Sequence, residues 1–258
     1  MKTTAAIALA LPALASATKK CDVTSEALQA RINLEDLLAG SQKLQDIADE
    51  ADGNRAFGGK GHNATVDWLY DSLTKLDYYD VTKQPFTELY AAGTADVTVD
   101  GEPLEARIMT YTPGGSGSGS LVHASNVGCA AEDYPAETEG NVAFVSRGTC
   151  SFGEKSVAAR AAGAIGIIVY NNVPGPISGT LGEPFLDYAP AVGISQEDSV
   201  PILEALEAGD VTVDFEVEAT VEERLTYNVI AETKQGDHDN VLVLGGHSDS
   251  VAAGPGIK

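Results

Sequence analysis

Residues 153–170 read GEKSVAARAAGAIGIIVY, and this stretch decides the fold. Gly153 to Ala162 reads as a helix. Ala164 to Tyr170 (AIGIIVY) follows as a strand that is apolar on both faces and therefore buried on both. Outward from this pair, Leu121 to His123 and Asn141 to Ser146 read as strands before it. Ala191 to Ile194 reads as a strand after it, leading into a short helix from Glu197 to Leu206. Alternation of strand and helix implies an α/β or α+β layered structure.

Further out, Ser25 to Glu50 has helical spacing at Leu34, Leu37, Leu38, Leu44 and Ile47, and Gly53 to Gly61 is a glycine-rich loop. A helix resumes near Ala64, with Val66, Leu69, Leu73 and Leu76 on one stripe. Val81 to Tyr90 and Thr94 to Val99 alternate like strands, and Asp100-Gly101 signals a hairpin turn. Pro113 to Gly119 has a linker's composition; between two apolar segments it reads as a surface loop. Val211 to Val217 alternates again. Tyr227 to Glu232 and Val241 to Leu244 read as two further strands around the polar turn Lys234 to Asn240, the second of them central in a covered sheet.

A chain of 258 residues accommodates two domains, and 43% apolar residues suffice for packed cores. The net charge of −22, with no Lys/Arg cluster to offset it, repels nucleic acid and anionic lipid, so no nucleic-acid or membrane partner is expected. Lys2, the apolar run Ala5 to Ala15 and the small residues Ala15-Ser16-Ala17 read as a secretory signal over residues 1–17. The run is too short for a spanning helix, which needs about 20 apolar residues. The mature protein is thus expected outside the cell. In that oxidising setting Cys129 and Cys150, which bracket a short strand-and-turn segment, are the expected disulfide, leaving Cys21 over. Asn63-Ala64-Thr65 is a glycosylation sequon.

The chemistry points to Gly245-Gly246-His247-Ser248-Asp249. His247 lies just past the end of an apolar strand, where α/β sheets place ligand sites. Asp249 can reach back to the ring nitrogen not used for a metal, fixing the tautomer. On spacing alone, an ordinary polar loop remains an alternative. His62 reads as a surface or cap residue, His123 as a satisfied core or edge histidine, and His238 as a turn residue. Trp68 and Tyr70 read as core or helix surface. Asp237 and Asp239 read as solvated, and the Gly/Ser run at 114–120 lacks the Lys of a phosphate loop.

The stretch Thr226 to Val251, TYNVIAETKQGDHDNVLVLGGHSDSV, resembles the aminopeptidase Y (leucine aminopeptidase) type of zinc aminopeptidase. Asn54-Arg55-Ala56-Phe57-Gly58 resembles the N-terminal region of the same fungal-type enzymes. Arg147 to Phe152, the helix Glu154 to Ala162 and Ala164 to Asn172 resemble a protease-associated (PA) domain.

The resemblance implies an α/β catalytic domain, interrupted by a β-rich PA domain at residues 104–217. The N-terminal part of the peptidase domain would then lie at 18–103 and the start of its metal-bearing part at 218–258. It also implies His247 as ligand of one of two zinc ions, Asp249 as the residue orienting that imidazole, and a peptide as substrate. Gly254 to Lys258 would fall just short of the aspartate that bridges the zinc pair, leaving one ligand of the family's five in this chain, which is expected to be inactive alone. Glutamate carboxypeptidase-like relatives share the inserted module but resemble membrane-anchored proteins. The non-enzymatic alternative is a secreted remnant whose PA domain binds peptide or a partner.

Overall fold

The computed structural model describes residues 24–256, residue 185 excepted. The signal sequence at 1–17 and Cys21 lie outside the described residues. Two N-terminal helices, α1 (Ser25–Gln29) and α2 (Leu34–Asp49), start at side-chain caps: Thr24 accepts from the Ala27 amide and Asn33 from the Asp36 amide. The far end of α2 buries Ile47 and Ala48. Helix α3 (Lys60–Lys75) buries Gly61, His62, Thr65 and Val66. No described helix is long and apolar enough to cross a membrane.

Strand β1 (Tyr79–Val99) is one continuous strand; the two segments read from the sequence join through Gly93. Asp100 and Gly101, both at positive φ, turn the chain into β2 (Glu102–Pro103). Strand β8 (Thr212–Thr233) pairs antiparallel with β1 from Tyr79↔Thr233 to Val99↔Val213. At about 3.4 Å per residue the ribbon spans roughly 70 Å. One end belongs to a layered sheet and the other packs on α3. The Val211–Val217 and Tyr227–Glu232 segments are therefore parts of one element.

The layered sheet runs β2-β1-β8-β4-β5-β6-β7-β3, with β3 at Arg107–Ile108, β4 at Gly115–His123, β5 at Val142–Ser146, β6 at Gly166–Tyr170 and β7 at Ala191–Ile194. Strands β4, β5, β6 and β7 pair in parallel. Alternation sends Ala143, Val145, Ile167 and Val169 to a core with helix α4 (Phe152–Ala161). It sends Val142, Phe144 and Ile168 to a second core with helix α5 (Gln196–Ala208) and with Val213, Phe215 and Val217 of β8. Burial on both faces is why the AIGIIVY run carries no polar side chain before Tyr170, at its end. Val97 of β1 is buried in the second core, and β8 passes position 217 without a break.

Cys129 and Cys150 are bonded, closing a loop over a sequence separation of 21 residues. A loop of that size is worth about 3 kcal/mol through the unfolded chain.

Two readings are corrected. The Gly/Ser run is a strand, not a loop: residues 115–120 pair with Val217 to Thr212 of β8. Its alternation has a packing cause. A Cβ at Gly115, Gly117 or Gly119 would come within 2.6 Å of Pro190, Ile165 or Asn141, so a larger residue on that face would force its neighbour to move. Val241 to Leu244, in turn, form no strand. Their side chains are 58 to 85% exposed, and no described residue offers a ladder to them. A run apolar on both faces needs neighbours on both faces.

Candidate functional site

The site lies where the α3 end of the ribbon meets residues 245–250. Gly58 to Gly61 turn the chain tightly into α3. A Cβ at Gly61 would sit 2.1 Å from the Asn54 carbonyl oxygen, so only glycine lets that loop fold back there. The turn presents Arg55 and His62, both buried, to the segment carrying His247.

His247 Nδ1 lies 3.1 Å from the Asp249 carbonyl oxygen and 3.2 Å from its Oδ1. Both partners can only accept, so Nδ1 carries the proton and the Nε2 lone pair is left free. The imidazole itself is open, its side chain 86% exposed. This donor chemistry fits one coordination position. Among the described residues no group of three or more His, Cys, Asp or Glu side chains could hold a metal ion.

His62 is not the surface or cap residue that its sequence context suggested. It is 4% exposed. Its Nδ1 receives the Gly58 amide at 3.4 Å and lies 3.2 Å from Thr226 Oγ1 of β8, while Nε2 lies 3.0 Å from Ser248 Oγ. An amide can only donate, so Nδ1 is the acceptor and Nε2 carries the proton. Both ring nitrogens are committed, and neither is free for a metal. Burial pushes the His62 pKa down, against the smaller opposing pull of Asp249; Arg55 adds to the lowering.

The sign of the resulting pH dependence is fixed. Below its ordinary pKa near 6.5 the unfolded histidine binds a proton that the folded one resists. His62 therefore contributes stability that is present above about pH 6.5 and is lost as pH falls through the lowered folded value. Chemical denaturation at pH 7.5 and 5.5 is expected to show a stability loss on acidification that shrinks in His62→Gln. An equal loss in both proteins would show that His62 does not cause it.

Arg55 is 5% exposed. Its Nη1 donates to the Ser248 carbonyl at 2.6 Å, and its Nε and Nη2 donate to the Pro255 carbonyl at 3.1 and 3.0 Å. Its backbone amide donates to Ser250 Oγ at 2.9 Å, and its carbonyl accepts the Ser250 amide at 3.0 Å. Burial lowers its pKa, and Asp249 works against that lowering. The sequence signal for both Arg55 and His62 was the glycine-dense loop around them, which marks a forced backbone approach and not a flexible tether.

A cleft of about 510 Å³ opens between these elements. Phe57, Leu69, Phe86 and Val229 supply apolar lining, and His247 and Asp249 line the same cleft. The other singled-out residues lie elsewhere or take no part. Asn63 is exposed on α3, and its sequon partner Thr65 is buried with Oγ1 donating to the Gly61 carbonyl at 2.8 Å. His123 Nε2 lies 3.1 Å from the Tyr170 hydroxyl, and His238 pairs with Glu232 at 2.5 Å in an exposed turn. Tyr70 stacks under the Lys83 ammonium, 4.8 Å from the ring centre, while Trp68 is half-buried on α3.

Residues 117–202 match the PA domain family. The chain is 51% identical over 238 residues to leucine aminopeptidase 2 of Arthroderma otae, covering 92% of this chain and 48% of that protein. It is 49% identical over 231 residues to the probable leucine aminopeptidase 2 of Aspergillus oryzae, covering 88% of this chain and 47% of that protein. The chain thus spans about half the length of the curated relatives it matches. Among solved structures, an aminopeptidase from Aneurinibacillus sp. strain AM-1 superposes with a TM-score of 0.63 at 25% identity, over 84% of this chain and 54% of that one. BSAP, a zinc aminopeptidase from Bacillus subtilis, has the same fold, with a TM-score of 0.57 at 24% identity over 84% of this chain and 53% of that one.

Proposed function

We propose that this chain, 51% identical to a fungal leucine aminopeptidase over 92% of its length, belongs to the zinc aminopeptidases and supplies the His247-bearing part of a secreted enzyme that removes N-terminal residues from peptides. The observation that carries this reading is the His247–Asp249 pair, whose hydrogen bond leaves Nε2 free on an imidazole that lines a largely apolar cleft. His247 would ligate one of two zinc ions, with Asp249 holding the ring. A zinc centre, when bound, acidifies a water and polarises the scissile carbonyl. Phe57, Leu69, Phe86 and Val229 offer an apolar surface against which a peptide can lie. The other ligands would come from residues outside these 258.

The test is hydrolysis of a leucyl anilide by the chain carried on through the length of its relatives. Wild type is expected to be active and chelator-sensitive, and His247→Ala inactive. Asp249→Asn should lose roughly 10- to 100-fold in activity or metal affinity, as residues orienting a metal-bound histidine generally do. Full activity in His247→Ala would remove His247 from the site.

The proposal extends to export and modification. Residues 1–17 serve as a cleaved signal, and the exposed Asn63 carries a glycan. A mass loss on endoglycosidase treatment, absent in Asn63→Gln, is the expected result; an unchanged mass in the secreted wild type would refute the glycan. The PA domain at 104–217 is proposed as the inserted unit. A fragment meant to fold alone would also need Ala95 to Val99, because Val97 belongs to its core.

A further inference from the structure

The segment that carries His247 is held in place by very little of its own structure. Residues 241–244 before it are exposed and form no strand, and a Cβ added at Gly245 or Gly246 would meet no atom within 4 Å. After it, one isolated bridge, Ala56↔Ser250, ties residue 250 to the loop before α3. Yet a histidine that is to serve as a ligand must be held within about half an ångström of its productive position. Something else must supply that constraint.

We infer that Arg55 is the positioning residue of the His247 segment: its planar guanidinium spans the Ser248 and Pro255 carbonyls and so fixes both ends of the turn that bears Asp249. Three of its five N–H groups are engaged, directed at two carbonyls seven residues apart. The backbone of Arg55 adds two hydrogen bonds to Ser250, whose single hydroxyl proton is shared between the Gly254 and Val251 carbonyls. His62 Nε2 braces the same turn at Ser248 Oγ. A buried cation held by carbonyl oxygens and no carboxylate is an uncommon arrangement, because such a charge is costly to desolvate. The gain is geometric: a fork that binds two carbonyls at once fixes direction as well as distance, which a lysine ammonium does not. Arg55 acts through the backbone: its side chain donates to carbonyls, and it is not among the residues that line the cleft.

This inference rests on the reading of His247 as a ligand, but its test needs no metal. Failure of the ligand reading would appear in zinc content and activity, not in the spectra below. The 258-residue chain is labelled with nitrogen-15, and the ring tautomer of each of its four histidines is read from long-range proton–nitrogen spectra. The His247 signals are assigned by their disappearance in His247→Gln. Amide exchange is followed at Ser250, with Val66 in α3 and Ile168 in β6 as controls.

In wild type, His247 is expected in the Nδ1-protonated form and the Ser250 amide protected. In Arg55→Met the ring should redistribute between tautomers and Ser250 should exchange at least tenfold faster, while Val66 and Ile168 hold. Arg55→Lys should behave as Arg55→Met does. If Arg55→Met loses protection at Val66 as well, Arg55→Lys decides. Core protection with a released His247 ring supports the assignment. An unchanged ring and Ser250 amide in either variant overturn it.

Discussion

Elemental analysis of the 258-residue chain is expected to find zinc far below two per molecule, and leucyl anilides are expected to stay intact in its presence. Catalytic zinc is normally held by three protein ligands. The described residues bring no three His, Cys, Asp or Glu side chains together, and His62, the one buried histidine near His247, has both nitrogens engaged. A single imidazole 86% exposed to water competes poorly with buffer for a metal. The same protein carried on through the length of its relatives should gain zinc and hydrolysis together. Chelator-sensitive activity from the 258 residues alone would show that another ligand set completes the site, for instance one formed by two copies. A chain without activity but with specific peptide binding through its PA domain would instead favour the non-enzymatic alternative.

The second large effect concerns stability. Phe144 of β5 is fully buried, with its ring centre 4.7 Å from that of Tyr170 and 6.0 Å from that of His123. Phe144→Ala is expected to cost about 3–5 kcal/mol, since truncating a core aromatic loses both transfer energy and packing. Domains of this kind hold only about 5–15 kcal/mol in total. The denaturant midpoint of the PA sheet should therefore collapse, while Val157→Ser, on the exposed side of α4, should stay within about 0.5 kcal/mol. A loss under 1 kcal/mol in Phe144→Ala would mean that the strand is not central to the sheet.

Legibility from sequence followed the range of the interactions involved. Strands such as Ile167 to Tyr170 are buried on both faces by nearby elements, so their composition alone announces them. The Gly/Ser strand was hidden because its glycines answer to Pro190, Ile165 and Asn141, contacts of long sequence separation that no local window holds. Val241 to Leu244 misled in the opposite direction. Its pattern specifies a covered strand, and the cover lies in none of the described residues. At the site, His247 and Asp249 were legible because two residues of spacing suffice to join them. Arg55 and His62 were not, since their partners lie 193 and 186 residues away at Ser248. A glycine-dense loop can be a tether or a clamp, and only the backbone at Asn54 and Gly61 shows that this one is a clamp.

His247 is proposed to hold zinc in an aminopeptidase of which these residues form part. The most direct test is the zinc content of the longer protein, measured after dialysis for wild type and for His247→Ala. Two zinc ions are expected per wild-type molecule and at most one in the variant, with the secondary structure of both unchanged. Equal zinc content in the two proteins would contradict that role for His247.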